Sequence, residues 1–323
     1  MNRRLAVVAA AVLAGLVNVH GQQPSTADPY ANNPDPSKVR FPLAAPAGKD
    51  SGAVTNAPLG AVNQGALDPA KWKYGPGFDP PPNSKIWNPV KLKMMRGEKV
   101  TGGTVFSTDS PETYCAMANA GYDFLWIEMQ HSPLTYSDVA KMIWACRGAS
   151  AVPFIRVPDA TESDIQKATD IGALGIIVPT VDTVEKAEAA VRWSRYPPQG
   201  RRSMGAGQYN ALYGNDYRQT INDNMMVVIM IETPIGVDNA EKIASVPGID
   251  VIFAASTDLG NFSGHKIGDP EYEAMVKRIH DVTLAHNIKL GGPQMWKDRP
   301  GFTFFQGPGE PQLIKLGAQS NLK

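Results

Sequence analysis

The sequence predicts an α/β fold, a closed barrel of eight parallel strands with a helix after most strands. Short apolar runs rich in β-branched residues alternate with helical patterns from about residue 88 onwards. Such alternation implies parallel strands joined by helical crossovers, and eight repeats of the unit are typical of a (β/α)8 TIM barrel. No glycine-rich nucleotide loop follows any of the runs, which disfavours the alternative of an open doubly wound sheet.

Eight segments fit the strand pattern, and helical segments separate most of them. The predicted strands are 105–106, 124–127, 152–157, 175–179, 226–231, 251–255, 289–291 and 302–305. The predicted helices are 88–98, 110–120, 136–147, 161–170, 184–193 and 270–286. The second of these helices begins at Ser110 or Pro111 and ends before Gly121, which are typical boundary residues.

Length and charge restrict the classes of function. The chain has 323 residues, of which 43% are hydrophobic, and its 31 basic and 31 acidic residues cancel. That length is enough for one large barrel core. A zero net charge gives no electrostatic reason to expect nucleic acid or an anionic membrane as a partner. We therefore expect small-molecule substrates and no nucleic acid.

Residues 1–21 have the pattern of a secretory signal peptide. Arg3 and Arg4 provide the positive start, residues 5–17 are continuously apolar, and Gly21 is a small residue at a plausible cleavage position. The apolar stretch is short for a membrane span, and an uncleaved anchor is the alternative. We expect a periplasmic or secreted mature protein that has no membrane attachment after signal cleavage.

Residues 22–87 form a proline-rich arm, and residues 88–323 form the barrel domain. The arm holds nearly half of the chain's 27 prolines and lacks regular apolar periodicity, so an extended or disordered segment is expected. Its aromatic end, residues 72–87, is a candidate to pack on the barrel or on a neighbouring subunit.

The chain has two cysteines, Cys115 and Cys146. Each lies in a predicted helix beside apolar residues, so we expect buried free thiols rather than a disulfide. Export would permit a disulfide, but nothing in the sequence requires one.

Two acidic residues follow neighbouring predicted strands. Glu232 comes directly after the run 226–231, and Asp258 comes three residues after the run 251–255. Because parallel strands of a barrel end at one mouth, the two carboxylates are expected to share a divalent cation. Oxygen ligands without cysteine favour Mg²⁺ or Mn²⁺, with Co²⁺ as a third candidate. The structural alternative is that each acid caps a helix or pairs with a basic residue.

A histidine and an arginine occupy equivalent strand-end positions. His131 follows the second strand, after Glu128 and Gln130, and Arg156 lies at the end of the third. The arginine is cationic at any working pH, and the imidazole can transfer a proton. With a metal ion they suit a substrate that chelates through a carboxylate and an adjacent keto oxygen, and whose enolate needs stabilisation.

From about residue 88 onwards the chain resembles the HpcH/HpaI aldolases, the metal-dependent (class II) pyruvate aldolases of the phosphoenolpyruvate/pyruvate barrel superfamily. The segments that carry the resemblance are 127–133 (IEMQHSP), 154–156 (FIR), 169–172 (TDIG), 178–179 (VP), 195–198 (RYPP) with Gly200 and Arg202, 231–233 (IET) and 257–259 (TDL). No segment is specific by itself. Their order and their spacing together support the resemblance.

The resemblance implies roles for individual residues. Glu232 and Asp258 would bind the metal. Arg156 would hold the pyruvyl oxygen and stabilise the enolate. His131 would be the catalytic base, and Asp170 would be the acid that orients it.

Substrate contacts are implied in the same way. Backbone amides near Ser256 and Thr257 would bind the pyruvate carboxylate. Tyr209, Tyr213 and Trp296, which are predicted to lie in loops, are candidates for the aldehyde side of the site.

The activity that the resemblance implies is that of a carbon–carbon lyase. It would cleave a 4-hydroxy-2-oxo acid reversibly to pyruvate and an aldehyde, and a homo-oligomer is expected. The alternatives are a citryl- or malyl-type lyase or an oxo-acid decarboxylase with the same enolate chemistry, and a secreted non-catalytic binding protein. Gln130, where the family usually has Glu, and Met230, where it commonly has Gln, favour the binding protein. The presence of the other site residues opposes it.

Overall fold

The computed structural model describes residues 85–214 and 217–322. The predicted signal peptide and most of the predicted proline-rich arm, residues 1–84, lie outside the described residues. The core is one closed barrel in which eight strands pair in parallel and in chain order, and the last strand pairs with the first. The prediction of a (β/α)8 barrel is confirmed.

The strands are numbered in chain order and have short bounds. They are β1 (Val100–Val105), β2 (Phe124–Glu128), β3 (Val152–Arg156), β4 (Gly175–Val178), β5 (Met226–Ile231), β6 (Val251–Ala254), β7 (Lys289–Pro293) and β8 (Phe302–Gly309). A 3₁₀ turn, Gln294–Trp296, takes the place of a helix between β7 and β8.

Helices surround the barrel, and short helices supplement several of the crossovers. They are α1 (Pro89–Met95), α2 (Pro111–Ala118), α3 (Tyr136–Ala145), α4 (Glu162–Asp170), α5 (Val184–Ser194), α6 (Tyr209–Tyr213), α7 (Tyr217–Asn224), α8 (Pro234–Asp238), α9 (Ala240–Ala244), α10 (Ser256–Ser263), α11 (Pro270–Ala285) and α12 (Glu310–Asn321). Within the described ranges, none of these helices is both long enough and apolar enough to cross a membrane.

Aromatic rings fill the barrel lumen near the amino-terminal ends of the strands. The ring of Phe124 stacks on that of Phe304 with 4.5 Å between centroids, and the ring of Phe154 lies 4.8 Å from that of Phe124. A Cβ atom on Gly102 of β1 would lie only 2.2 Å from the Phe124 ring, so the packing requires glycine there. The predicted first strand, 105–106, overlaps the observed strand Val100–Val105 only at Val105. Its bounds were wrong because the two glycines of this strand have low strand propensity.

Strand alternation decides which side chains reach the carboxyl-terminal mouth of the barrel. Since Gly102, Phe124 and Phe154 face the lumen, the residues two and four places later along the same strands face it too. Met230 of β5 pairs in register with Phe253 of β6, whose ring packs on Trp126 inside the barrel. The inward side chains at the mouth are therefore Phe106, Glu128, Arg156 and Glu232.

A buried ion cluster closes the amino-terminal end of the barrel. The Asp250 carboxylate, which is fully buried before β6, lies 3.0 Å from Lys91 of α1 and 3.1 Å from Arg195 after α5. The amide of Val227 also donates to Asp250 at 2.8 Å. Removal of one partner from such a cluster leaves a buried charge uncompensated, so the ions fix α1 and the 195–198 turn to the barrel.

Helices α6 and α7, which the sequence did not predict, pack near this end on aromatic contacts. The Arg202 guanidinium lies 4.6 Å from the ring of Tyr196 and donates to the Tyr217 hydroxyl at 2.9 Å. Trp87, assigned above to the arm, is buried with its ring 5.5 Å from that of Tyr213, and its indole N–H donates to Thr220. The packed part of the chain thus includes the last residue of the arm.

Cys115 and Cys146 form a disulfide, with their Cα atoms 5.4 Å apart. Both residues are buried as expected, but the expectation of free thiols was wrong. Cys115 lies on α2 and Cys146 caps the carboxyl end of α3, and the two neighbouring helices pack together. Proximity of this kind arises from helix packing, which the spacing of cysteines along the sequence does not reveal.

Candidate active site

Arg156 at the end of β3 is buried between two carboxylates. Its Nη1 donates to Glu128 Oε2 at 3.1 Å, and its Nη2 lies 3.7 Å from Glu232 Oε2. Among the described residues, neither Nε nor Nη2 of Arg156 has a hydrogen-bond acceptor. A buried guanidinium with free donors is suited to an anionic oxygen of a ligand.

Thr180 fixes the carboxylate of Glu232. The amide and the hydroxyl of Thr180 both donate to Glu232 Oε1, at 2.6 Å and 3.0 Å. Thr180 has a φ of 50°, in the left-handed region that a β-branched residue rarely adopts, so this contact is held against backbone strain. The other oxygen, Oε2, is buried and has no hydrogen-bond donor within the described chain.

The Glu232 carboxyl is electrostatically unusual. Burial raises its pKa, the Arg156 guanidinium and the Thr180 amide oppose that increase, and the nearby charge of Asp258 adds to it. Asp258 lies in the first turn of α10, at the carboxyl end of β6. The two predicted metal ligands therefore lie at the carboxyl ends of neighbouring strands, β5 and β6.

These carboxylates fit a divalent cation. Across residues 85–214 and 217–322, no group of three or more His, Cys, Asp or Glu side chains is arranged to hold a metal. A cation at Glu232 and Asp258 would complete its shell with water and substrate oxygens, which is the usual coordination of Mg²⁺ in enzymes. The unpaired Oε2 of Glu232 and the repulsion between the two acids are both features that such a cation would relieve.

The predicted carboxylate-binding amides stand at the start of α10. Ser256 is the first residue of this helix, and Ala255 before it has no side chain that could cap the first turn. The amides of Ser256 and Thr257 are therefore first-turn donors with no intrahelical acceptor, next to Asp258.

His131 lies in the turn after β2 and is exposed. The turn is held by Glu128, whose Oε1 accepts from the amides of Gln130 at 2.8 Å and His131 at 3.2 Å. Glu128 thus joins the His131 turn to Arg156 through its two oxygens. No role for Glu128 was predicted from the sequence, although it directly follows the predicted strand 124–127, as Glu232 follows 226–231. In the structure it pairs with Arg156 across β2 and β3.

The structure does not bring Asp170 to His131 within the chain. Asp170 is the last residue of α4, which runs about 13 Å back from the mouth towards the amino-terminal end of the barrel. Its carboxylate accepts from Arg202 at 3.0 Å and from Gln166 at 2.8 Å. The role of Asp170 in orienting the histidine stays a prediction.

The three aromatic candidates for the aldehyde side do not line the mouth. Tyr209 and Tyr213 are buried on α6, and the Tyr213 hydroxyl donates to the carbonyl of Gly172 before β4. Trp296 is buried against Phe302, with 5.3 Å between ring centroids. That expectation was wrong, because these rings belong to the outer packing of the barrel.

Comparison with known proteins settles the family. A model of the family "HpcH/HpaI aldolase/citrate lyase" matches residues 105–289. The chain belongs to this family. The match spans the strand ends that carry Phe106, Glu128, Arg156, Glu232 and Asp258.

Characterised relatives are similar over most of their length. The chain is 33% identical over 193 residues to the 2-dehydro-3,6-dideoxy-6-sulfogluconate aldolase of Pseudomonas putida, covering 59% of this chain and 75% of the relative. It is 32% identical over 222 residues to the 2-keto-3-deoxy-L-rhamnonate aldolase of Escherichia coli, covering 66% of this chain and 83% of the relative.

Solved structures of similar proteins share the barrel. A HpcH/HpaI aldolase/citrate lyase family protein from Burkholderia cenocepacia superposes with a TM-score of 0.63 at 28% identity, covering 70% of this chain and 93% of that one. The citrate synthase SbnG superposes with a TM-score of 0.64 at 30% identity, covering 73% of this chain and 96% of that one.

Membership of this family indicates the class of reaction. This chain is a lyase of the aldolase type, which cleaves a hydroxy-oxo acid to pyruvate and an aldehyde. Enzymes of this family depend on a divalent metal and act on small-molecule keto acids.

Proposed function

We propose that the mouth formed by β2, β3, β5 and β6 is the active site for reversible cleavage of a 4-hydroxy-2-oxo acid. The observation that carries this proposal is the buried Arg156 guanidinium, whose Nε and Nη2 have no hydrogen-bond acceptor among the described residues and whose Nη2 lies 3.7 Å from Glu232 Oε2. An enolate oxygen between them would satisfy both the arginine and a cation held by the two acids.

The cation, Mg²⁺ or Mn²⁺, would be held by Glu232 and Asp258, and when bound it supplies a Lewis acid for the 2-oxo acid. The first-turn amides of Ser256 and Thr257 bind the substrate carboxylate. Arg156 donates to the 2-oxo oxygen, and Glu128 keeps the guanidinium in place through its bond at 3.1 Å. The substrate is thus oriented with its C3–C4 bond above the barrel.

Cleavage needs one proton transfer on each side of the breaking bond. His131 removes the proton from the C4 hydroxyl, the C3–C4 bond breaks, and its electron pair forms the pyruvate enolate that Arg156 stabilises. The aldehyde leaves, and protonation of the enolate at C3 gives pyruvate. The reverse sequence condenses pyruvate with an aldehyde.

We further propose a periplasmic or secreted homo-oligomer. The signal-like start of the sequence supports export, and so does the Cys115–Cys146 disulfide, because such bonds persist in oxidising compartments. Ile314 and Leu316 are exposed on α12, and Leu322 is exposed directly after it, which supports burial of that helix against another copy. Light scattering on the purified protein would measure the oligomeric state.

The decisive experiment is the exchange of pyruvate methyl protons in D₂O, followed by NMR with and without Mn²⁺. Metal-dependent exchange supports the enolate chemistry without knowledge of the aldehyde. Proton exchange of oxaloacetate is measured in parallel. Faster exchange of oxaloacetate than of pyruvate would favour the citryl- or malyl-type lyase. A protein that binds Mn²⁺ but exchanges no protons would be the non-catalytic barrel, the reading that Gln130 and Met230 favour.

A further inference from the structure

Glu310 carries a buried carboxylate that the proposed mechanism does not use. It is the first residue of α12, directly after β8, and is 3% exposed. Its Oε1 accepts from the amides of Phe106 at 2.8 Å and Ser107 at 3.1 Å, across the seam between β8 and β1. Its Oε2 is buried and has no hydrogen-bond partner in the part of the chain that the structure describes.

These contacts fix the backbone from which Phe106 projects. Strand alternation after Gly102 directs Phe106 to the lumen side at the mouth. The ring lies over Gly309, where a Cβ atom would come within 2.6 Å of it, so only glycine leaves room for the ring in this place. Phe106 nevertheless remains 38% exposed at this end of the barrel.

The position of the Phe106 ring relative to the proposed site indicates which part of the substrate it contacts. The metal, the enolate and the base use residues at the ends of β2, β3, β5 and β6, and Thr180 after β4 supports Glu232. This leaves the arc formed by the ends of β7, β8 and β1 for the aldehyde. His131, which would act on the carbon that becomes the aldehyde, follows β2, and β2 is the neighbour of β1.

The arc contains no cationic side chain, and Phe106 is its exposed aromatic residue. The residues that follow β7 (294–296), end β8 (306–310) and follow β1 (106–110) include no Lys, Arg or His. The one buried carboxylate among them is occupied by backbone amides. An anionic aldehyde would find no cation here, whereas an apolar substituent would cover the Phe106 ring and lose water.

We propose, on the basis of the function given above, that Phe106 is the specificity-determining wall for the aldehyde and that Glu310 is its positioning residue. Phe106, held in place by Glu310, selects an aldehyde whose substituent is apolar and uncharged. Glu310 acts through the two amides that it binds and does not touch the substrate.

The test compares propanal with succinic semialdehyde as acceptors for pyruvate in the condensation direction. The wild-type protein should show a kcat/KM for propanal about tenfold or more above that for succinic semialdehyde, because the anionic end has no cation to pair with. A preference for succinic semialdehyde would overturn the proposal.

Variants separate the wall from its support. Phe106→Ala should lower kcat/KM for propanal about tenfold through KM, as the loss of a pocket's apolar contacts does. Glu310→Ala should have the same effect by releasing the two amides, and Glu310→Gln should restore most of it by keeping an acceptor oxygen. Trp144→Ala, at an exposed aromatic on the outer helix α3, is the matched control and should leave all rates unchanged.

The exchange of pyruvate protons in D₂O distinguishes failure of the aldehyde wall from failure of the proposed function. In both Phe106→Ala and Glu310→Ala, kcat/KM for propanal should fall about tenfold further than the exchange rate does. Wild-type exchange without any change of aldehyde KM in Phe106→Ala overturns the aldehyde wall alone. Absence of exchange in the wild-type protein overturns the proposed function on which it rests.

Discussion

Thr180 and Glu232 are joined by two hydrogen bonds to one oxygen, at 2.6 Å from the amide and 3.0 Å from the hydroxyl. Both bonds fall on Oε1, so the charge that remains at Oε2 is directed towards Arg156 and the predicted cation. A φ of 50° is unfavourable for a threonine, and the two hydrogen bonds to Glu232 offset this backbone strain.

Substitution Thr180→Val removes the hydroxyl bond while it keeps the shape and the amide. We expect the affinity for Mn²⁺ to fall about tenfold, because partners of a ligating carboxylate typically contribute that much. Calorimetric titration of the purified variant measures the change, and Thr180→Ser, which restores the hydroxyl, should recover most of it. Equal affinities in wild type and Thr180→Val would show that Glu232 is not a ligand or does not need this support.

Removal of the metal should stop turnover, and the affinity of the protein for the metal should depend on pH. EDTA should abolish cleavage and Mn²⁺ or Mg²⁺ should restore it, whereas full activity in chelator would refute metal catalysis. Because burial raises the pKa of Glu232 above its ordinary value of 4.5, protons compete with the cation for this oxygen. The dissociation constant for Mn²⁺ should therefore increase as the pH falls through that raised pKa.

The same pKa has the opposite effect on the metal-free protein. A carboxyl whose pKa is raised on folding favours the folded state below its unfolded-state pKa, and this contribution is lost as the pH rises through the folded-state pKa. The unfolding free energy of the apoprotein should thus decrease over that interval, and Glu232→Gln should flatten the profile. Urea titrations of both proteins at several pH values provide the measurement.

The barrel and the strand ends were predictable, since apolar runs and their terminal residues are local features of the sequence. Glu232, Asp258, Arg156 and His131 each directly end or closely follow such a run, and topology gathers strand ends at one mouth.

What escaped prediction depends on packing between distant segments. The hydrogen bonds from the Thr180 amide to Glu232 and from the Phe106 amide to Glu310 join residues far apart in sequence. The bounds of the first strand were missed because Gly102 is required by the ring of Phe124 on the next strand, and Gly103 by the ring of Tyr122. No periodicity along the chain encodes such pairs.

Arg156 should matter far more for turnover than for folding. Arg156→Ala removes a donor that the enolate needs, and we expect kcat to fall about a hundredfold or more. Arg156→Lys keeps the charge without the planar fork and should remain strongly impaired. Circular dichroism and thermal melts of the same samples report on folding. A variant that unfolds yet keeps normal activity per folded molecule would assign Arg156 a structural role.

His131 is the residue whose loss should separate chemistry from metal binding. It is exposed, and its amide rather than its ring is bound by Glu128, so His131→Ala should leave the fold and the Mn²⁺ affinity intact. Cleavage of a 4-hydroxy-2-oxo acid should fall about a hundredfold or more, as expected for loss of a general base. Substitution Ser132→Ala in the same turn serves as a control for disturbance of the backbone. If His131→Ala turned over at the wild-type rate, the base would have to be sought elsewhere.

The Cys115–Cys146 disulfide should stabilise the half of the barrel that contains this turn. It closes a loop with a sequence separation of 31 residues, which includes β2, Glu128 and His131. Cross-linking a loop of this size restricts the unfolded chain, so Cys115→Ser with Cys146→Ser should lower the unfolding free energy by about 3 kcal/mol. Urea denaturation of the double variant, and of the wild-type protein with and without reductant, measures the effect. Reduced wild type and the double variant should agree with each other. Equal stability of the oxidised and reduced wild-type protein would mean that the packing of α2 on α3 already holds the loop without the covalent bond.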